Sequence, residues 1–118
     1  MTDEITSIGR ITISPRAIST IACQAAMQSY GVVGMTSKNL ADGIAHVFAR
    51  DPRHGVQINS LGDQIAIDLF VIIEYGTRIS SVAASVANSV RYQVERAIGL
   101  PVAAVNVHVQ DLRVSDID

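Results

Sequence analysis

The chain has 118 residues, of which 48% are hydrophobic and 17% charged, and its formal net charge is −2. This length predicts one domain with its own core, and the composition excludes a disordered chain. The small negative charge gives no long-range attraction to nucleic acid or anionic lipid, while a single cysteine, Cys23, excludes an internal disulfide and suits a reducing cytoplasm.

The chain begins with a polar stretch and a short alternating segment. Residues 1–6 are expected to form a frayed tail. The segment from Ile8 to Ile13 alternates apolar and polar side chains, which predicts a strand. One face of this strand would carry Ile11 and Ile13, and the other would carry Arg10 and Thr12.

A helix is predicted next, because a serine is followed by a proline. Ser14 can act as the N-cap, and Pro15 suits the first helical position. The apolar spacing predicts a helix to about Ser29, ended by Gly31, with an inner stripe of Ile18, Ile21, Ala22 and Ala25.

The middle of the chain predicts a short helix and a hairpin. Residues 32–36 would be extended, and residues 39–48 carry apolar side chains at helical spacing. After a Pro- and Gly-containing break, residues 56–60 and 65–75 are predicted to pair as a hairpin.

The last third predicts a long helix followed by a strand. The helix covers about residues 78–98 and ends at Gly99, with an inner stripe of Ile79, Val82, Ala83, Val86, Val90, Val94 and Ala97. Residues 103–110 would form the last strand, with Val105, Val107 and Val109 facing inward, and residues 111–118 a polar tail.

These elements predict an α+β fold in the order β-α-(β)-α-β-β-α-β. A mostly antiparallel sheet would pack one face against the helices, giving a two-layer sandwich. We expect a single domain over residues 1–118, with its core at about residues 8–113 and polar termini at 1–6 and 114–118.

The face of the sheet away from the helices is the predicted interaction surface. If Ile65, Ile67, Leu69, Val71 and Ile73 face the helices, then the intervening residues of the same strand face outward. Neighbouring strands would add Arg10, Thr12, Gln57 and Asn59 to that outward face. The candidate surface is Phe70, Ile72, Asp68, His108 and Asn106, with two large apolar side chains at its centre. A covering segment and a one-residue shift of register are the alternatives.

The titratable residues do not form a recognisable reaction or metal site. Asp42 and His46 could share a face of the predicted short helix and His54 follows it, but two histidines and an aspartate at loose spacing are weak evidence for a metal. Asp68 and Glu74 lie six residues apart on one strand, roughly 20 Å at strand rise, too far for a catalytic pair. We therefore expect that the protein is not an enzyme and has no catalytic residue, metal or cofactor.

One motif suggests nucleic-acid binding as an alternative. Gly31-Val32-Val33-Gly34 matches the Gly-x-x-Gly clamp of an RNA-binding fold, with Lys38, Arg50 and Arg53 as the nearby basic residues. A clamp of this kind normally has basic or polar middle residues, whereas these two are valines. The mildly acidic chain also disfavours this interpretation.

Several segments resemble the alkaline shock protein family of Gram-positive bacteria, also called the envelope-stress or general-stress family. The longest is IDLFVIIEYGTRISSVAASVANSVRYQVERAIGLPVAAVNVHVQDL, and the others are GRITIS at residues 9–14 and YGVVGM at residues 30–35. The resemblance covers about residues 8–113 and is closest to the short, single-domain members.

The resemblance implies a non-enzymatic protein of the bacterial cytoplasm that self-associates and serves envelope stress response or lipid homeostasis. Some members are held at the membrane by a separate anchor protein, so the implied partners are further copies of the chain and an envelope-related protein. The acidic N-terminus is unlike a signal peptide, and the apolar run Leu69–Ile73 is too short to cross a bilayer. A cytoplasmic protein, peripheral at the membrane through a partner, is the expectation.

Overall fold

A computed structural model describes residues 9–36 and 55–114 in full and residues 2–6 by their backbone. The predicted helix over residues 39–48 lies outside the described residues. In chain order the elements are β1 (Thr2–Thr6), β2 (Gly9–Ile13), α1 (Pro15–Met27), β3 (Val32–Met35), β4 (Val56–Leu61), β5 (Gln64–Glu74), α2 (Ile79–Ile98) and β6 (Val102–Arg113). Together they form the predicted α+β fold.

The main sheet is built around β5. On one edge of β5, β4 pairs antiparallel with residues 64–69 and β3 pairs antiparallel with residues 71–73. On the other edge, β6 runs parallel to β5 along residues 65–74. Two of the three pairings are therefore antiparallel, as predicted, and α2 forms the crossover between the two parallel strands.

The start of α1 follows the predicted capping. Ser14 is extended, and its Oγ accepts a hydrogen bond from the N–H of Ala17 at 3.2 Å. The helix ends at Met27, with Gln28 as its C-cap, and so stops before the predicted Ser29. Gly31 does not cap the helix. Its φ of +90° turns the chain into β3, which favours a residue without a Cβ.

The crossover between β5 and β6 ends on a left-handed glycine. Gly99 has φ +76°, and its N–H donates to the carbonyl of Glu95 at 2.8 Å. One turn of α2 then holds the start of β6, because two of its side chains, four residues apart, bind the backbone of one residue, Val102. Arg91 Nη1 donates to the Val102 carbonyl at 2.7 Å, and Glu95 Oε2 accepts from the Val102 N–H at 2.8 Å.

The core lies between the two helices and one face of the sheet. The predicted inward residues of β5 are all buried there, which confirms the alternation: Ile65, Ile67, Leu69, Val71 and Ile73. The buried stripe of α2 is Val82, Val86, Val90, Val94 and Ile98. Ile79 and Ala97 were predicted on this stripe but are exposed, and at the C-terminal end of the helix Ile98 is buried instead of Ala97.

The termini of the described chain differ most from the prediction. Residues 2–6 were expected to be a frayed tail, but they form β1 and pair antiparallel with β2 in a separate two-stranded sheet. Arg10 and Thr12 therefore do not join the outward face of the main sheet. At the other end, β6 continues to Arg113 instead of ending at residue 110, because the Arg113 carbonyl accepts a hydrogen bond from the Tyr75 N–H at 2.8 Å.

Candidate functional site

The five residues of the candidate surface lie together on the outward face of the main sheet. Asp68, Phe70 and Ile72 alternate along β5, while Asn106 and His108 do so on β6. The strand register places Asp68 beside Asn106 and Phe70 beside His108. Neighbouring side chains at such positions are close enough to interact directly.

Asp68 is the centre of a hydrogen-bonded cluster. Its Oδ1 accepts from Asn106 Nδ2 at 3.1 Å and lies 3.0 Å from His108 Nε2. Its Oδ2 accepts from Asn59 Nδ2, on β4, at 2.9 Å. The carboxylate is thus held by side chains from both neighbouring strands. Its side chain is 20% exposed, so this cluster (Asn59, Asp68, Asn106 and His108) is set into the sheet surface.

The central carboxylate determines which atoms of the cluster face outward. A carboxylate only accepts hydrogen bonds, so each asparagine must turn its NH₂ toward Asp68 and its carbonyl oxygen away. His108 directs Nε2 at the same carboxylate, so Nδ1 is the ring nitrogen turned away from it. The two asparagine carbonyl oxygens are therefore the hydrogen-bond acceptors that the cluster keeps for a partner, which suits a partner that brings donors.

Phe70 does not form an exposed apolar centre. The side chain is only 6% exposed, because the His108 ring stacks on it with a centroid distance of 4.7 Å and an interplanar angle of 13°. Ile72 is half-buried, beside Gly34 of β3. Phe70 is therefore covered by a side chain of the candidate surface itself, whereas the predicted alternative was a covering segment. The accessible part of the surface is mostly polar.

Two features of the surface were missing from the predicted site. Alternation placed Asn59 on the outward face, but Asn59 was left out of the predicted site. It donates a hydrogen bond to Asp68, so the pairing of β4 with β5 was the signal that would have included it. Two tyrosines, Tyr30 and Tyr75, are 82% and 63% exposed. Tyr30 lines a shallow depression of about 270 Å³ with Arg78 and Ser81 at the start of α2.

The Gly-x-x-Gly motif does not form a clamp. Residues 32–35 are β3, hydrogen-bonded along β5, and Val32 is buried in the core. A side chain at Gly31 would meet Val82 Cγ2 at 2.9 Å, so the glycine is required for packing against α2. This backbone therefore pairs within the sheet instead of forming an open loop, and the described residues give the nucleic-acid alternative no support. Lys38, Arg50 and Arg53 lie outside the described residues.

Within residues 9–36 and 55–114 no group of three His, Cys, Asp or Glu side chains could hold a metal ion. Asp42, His46 and His54 lie outside this part of the chain. Cys23 is buried in α1, at 5% exposure.

A family model for the alkaline shock proteins (ASP23), described as having a cell envelope-related function, matches residues 3–114. The chain belongs to this family. The match spans both sheets and both helices, so the resemblance inferred from the sequence is confirmed.

Curated relatives come from Gram-positive bacteria. YloU of Bacillus subtilis is 43% identical over 113 residues, which is 94% of each chain. A stress response regulator gls24 homolog of Streptococcus pyogenes is 27% identical over 111 residues, which cover 92% of this chain and 61% of that protein. The family thus connects this chain to the cell envelope and to stress response.

A solved structure shares the fold at low sequence identity. The MamM CTD in its copper form has a TM-score of 0.52 and 14% identity, and the match covers 88% of this chain and 92% of that one. Among the described residues, no helix is both long enough and apolar enough to cross a membrane.

Proposed function

We propose that this protein is a non-enzymatic interaction module of the bacterial cytoplasm that binds further copies of itself. In this proposal the assembled module serves envelope homeostasis during stress and reaches the membrane through a partner protein. The cellular process is inferred from the envelope-related function of the family, and the outward face of the sheet is the proposed binding surface.

The observation that carries the proposal is the Asp68-centred cluster. Its side chains hold one another through three hydrogen bonds of 2.9–3.1 Å, so its acceptors are fixed before a partner arrives. A preorganised surface of this kind lowers the entropic cost of association. Catalysis would instead need a nucleophile or base directed into a cleft, and the carboxylate here is already engaged by its neighbours.

Self-association is tested by the mass of the purified protein in solution. Light scattering after gel filtration, over a concentration series, should give a mass that rises above 12.6 kDa with concentration. A constant mass of one chain at the highest concentration reached would contradict self-association.

Envelope function is tested in a Gram-positive host that carries its own copy of the gene. Deleting the gene should increase sensitivity to cell-wall inhibitors, and fractionation should find part of the tagged protein with the membrane. Protease treatment of intact cells is the control for location, since a cytoplasmic protein is protected. A deletion strain that tolerates the inhibitors like its parent would contradict the envelope role.

A further inference from the structure

The hairpin formed by β1 and β2, here called the arm, stands apart from the rest of the molecule. It forms its own two-stranded sheet, and among its described side chains Ile13, at its base, packs against the core. The Ile11 side chain of the arm is 48% exposed. An isolated two-stranded hairpin is only marginally stable in water, so the arm needs a surface to bind.

The outer edge of β6 is a complementary feature. This strand is 12 residues long, its inner edge pairs with β5, and no other described strand pairs with it. The Arg113 carbonyl points to β5, so alternation turns the Leu112 N–H outward, where the Asp111 carboxylate of the same strand accepts from it at 2.8 Å. This bond occupies the edge near its C-terminal end, whereas ahead of Asp111 the edge has no described partner strand and is a template for an added strand.

The side-chain pattern of β2 fits the pattern of β6. On β6, Val105, Val107 and Val109 pack against the core, while Asn106 and His108 are exposed on the outward face. Ile13 packs against the core of its own molecule. A β2 strand placed beside β6, with Ile11 toward the helices, would carry Arg10 and Thr12 outward. The Arg10 guanidinium and the Thr12 hydroxyl are donors, and they would lie next to the acceptors of the Asp68-centred cluster.

The connectivity favours a second copy as the source of this strand. Only Ser14 separates β2 from α1, and α1 packs on β3 and β4, whereas α2 packs on β6. The arm therefore leaves the molecule on the side of β3 and β4, across the sheet from the open edge of β6.

We infer that the arm of one copy adds to the outer edge of β6 in the next copy. This inference rests on the proposed self-association and names the surfaces that produce it. Each copy donates one arm and accepts another, so the contact is heterologous and runs head to tail. A copy that cannot donate its arm can still accept one.

Thr12 allows the arm to be blocked without breaking its own pairing. Thr6 pairs with Gly9 across the turn, so this pair exchanges backbone hydrogen bonds, and alternation leaves the Thr12 N–H pointing to the outer edge of β2. Thr12→Pro removes that donor and places a ring against any added strand, which an edge position tolerates within the hairpin. Thr12→Ala keeps the N–H and loses only the hydroxyl, so the difference between the two variants isolates the backbone contact.

Sedimentation equilibrium of the full-length chain, with any affinity tag at the C-terminus, measures the effect. Thr12→Pro should raise the dissociation constant about ten-fold or more, while Thr12→Ala should raise it by less, because this variant loses the hydroxyl but keeps the N–H. Excess Thr12→Pro mixed with labelled parent should give two-chain complexes, because the variant accepts an arm but donates none.

A second pair of variants tests the accepting edge. Asn106→Ala and Asn59→Ala each remove one hydrogen bond to Asp68, but only Asn106 lies on β6. Asn106→Ala should weaken assembly more than Asn59→Ala does.

The outcomes separate this inference from the proposed function. Assembly of Thr12→Pro at parental affinity would overturn the arm contact and leave self-association in place. A monomeric Thr12→Pro that forms no complex with the parent would also overturn it, since its β6 edge is unchanged. A parent that stays monomeric would refute the proposed self-association itself.

Discussion

Replacing His108 with alanine removes two contacts from the outward face of the sheet. The ring stacks on Phe70 at a centroid distance of 4.7 Å, and its Nε2 lies 3.0 Å from the Asp68 carboxylate. The substitution also exposes one face of the Phe70 ring, whose side chain is only 6% exposed in the parent protein. We therefore expect the folded state to lose stability even though His108 is itself a surface residue.

The size of the loss follows from the two contacts. A stacked aromatic pair contributes about 0.5–1.5 kcal/mol beyond its buried area. The hydrogen bond to Asp68 contributes about 0–1 kcal/mol, because the His108 side chain is 46% exposed and solvent screens the contact. His108→Ala should lower the free energy of unfolding by about 1–2 kcal/mol, which for a domain of this size lowers Tm by about 4–8 °C.

Urea denaturation followed by circular dichroism measures this loss, and two further variants divide it. His108→Phe keeps a ring over Phe70 but loses the polar contact, whereas His108→Asn keeps a donor for Asp68 but loses the ring. We expect His108→Phe to recover about half or more of the loss. If His108→Phe is as unstable as His108→Ala, the stacking contributes nothing and the reasoning is wrong.

Three further changes test how the fold holds the site, each measured by the same urea denaturation. Glu95→Ala should cost about 1–2 kcal/mol by leaving the Val102 N–H without its acceptor, while Glu95→Gln should cost less than half of that; equal losses would contradict the hydrogen bond. Gly31→Ala should cost about 1–3 kcal/mol, from φ +90° and from the contact with Val82. Measured against Val82→Ala alone, the same change should cost less, because only the backbone part remains; an equal cost in both backgrounds would contradict the contact with Val82. Val90→Ala should cost about 2 kcal/mol, because the residue is fully buried between the helices and the sheet. A loss under about 0.5 kcal/mol would contradict this, since it would mean that neighbouring side chains fill the cavity.

The two faces of β5 could be predicted from the sequence because strand periodicity is local and this strand is long. Asp68, Phe70 and Ile72 must share one face once Leu69 and Val71 are buried. Periodicity says nothing, however, about what lies over a side chain. The cover on Phe70 comes from His108, 38 residues further along the chain, and only the parallel register of β5 and β6 brings the two rings together.

The errors in the helices and termini have similar physical causes. A helical stripe drifts around the axis over five turns, so the prediction placed Ala97 inward at the end of α2 where Ile98 is buried instead. Residues 2–6 lack apolar periodicity, and their strand exists through pairing with β2, which local patterns do not reveal. The hydrogen bonds from Arg91 and Glu95 to the Val102 backbone could not be predicted either, because helical spacing identifies only neighbours within the same helix.

The misplacement of β2 bears directly on the proposed assembly. Alternation predicted that Arg10 and Thr12 would share an outward face with Asn106 and His108, and within one molecule this is wrong, because β2 pairs with β1 away from the sheet. A strand's pattern specifies the kind of edge it fits but not which molecule supplies that edge, which is why strands can be exchanged between identical chains. Under the arm contact proposed above, the predicted face would be completed between two copies, with donors from one and acceptors from the other. The same substitutions that test the arm therefore test whether this sequence pattern encodes an intermolecular pairing.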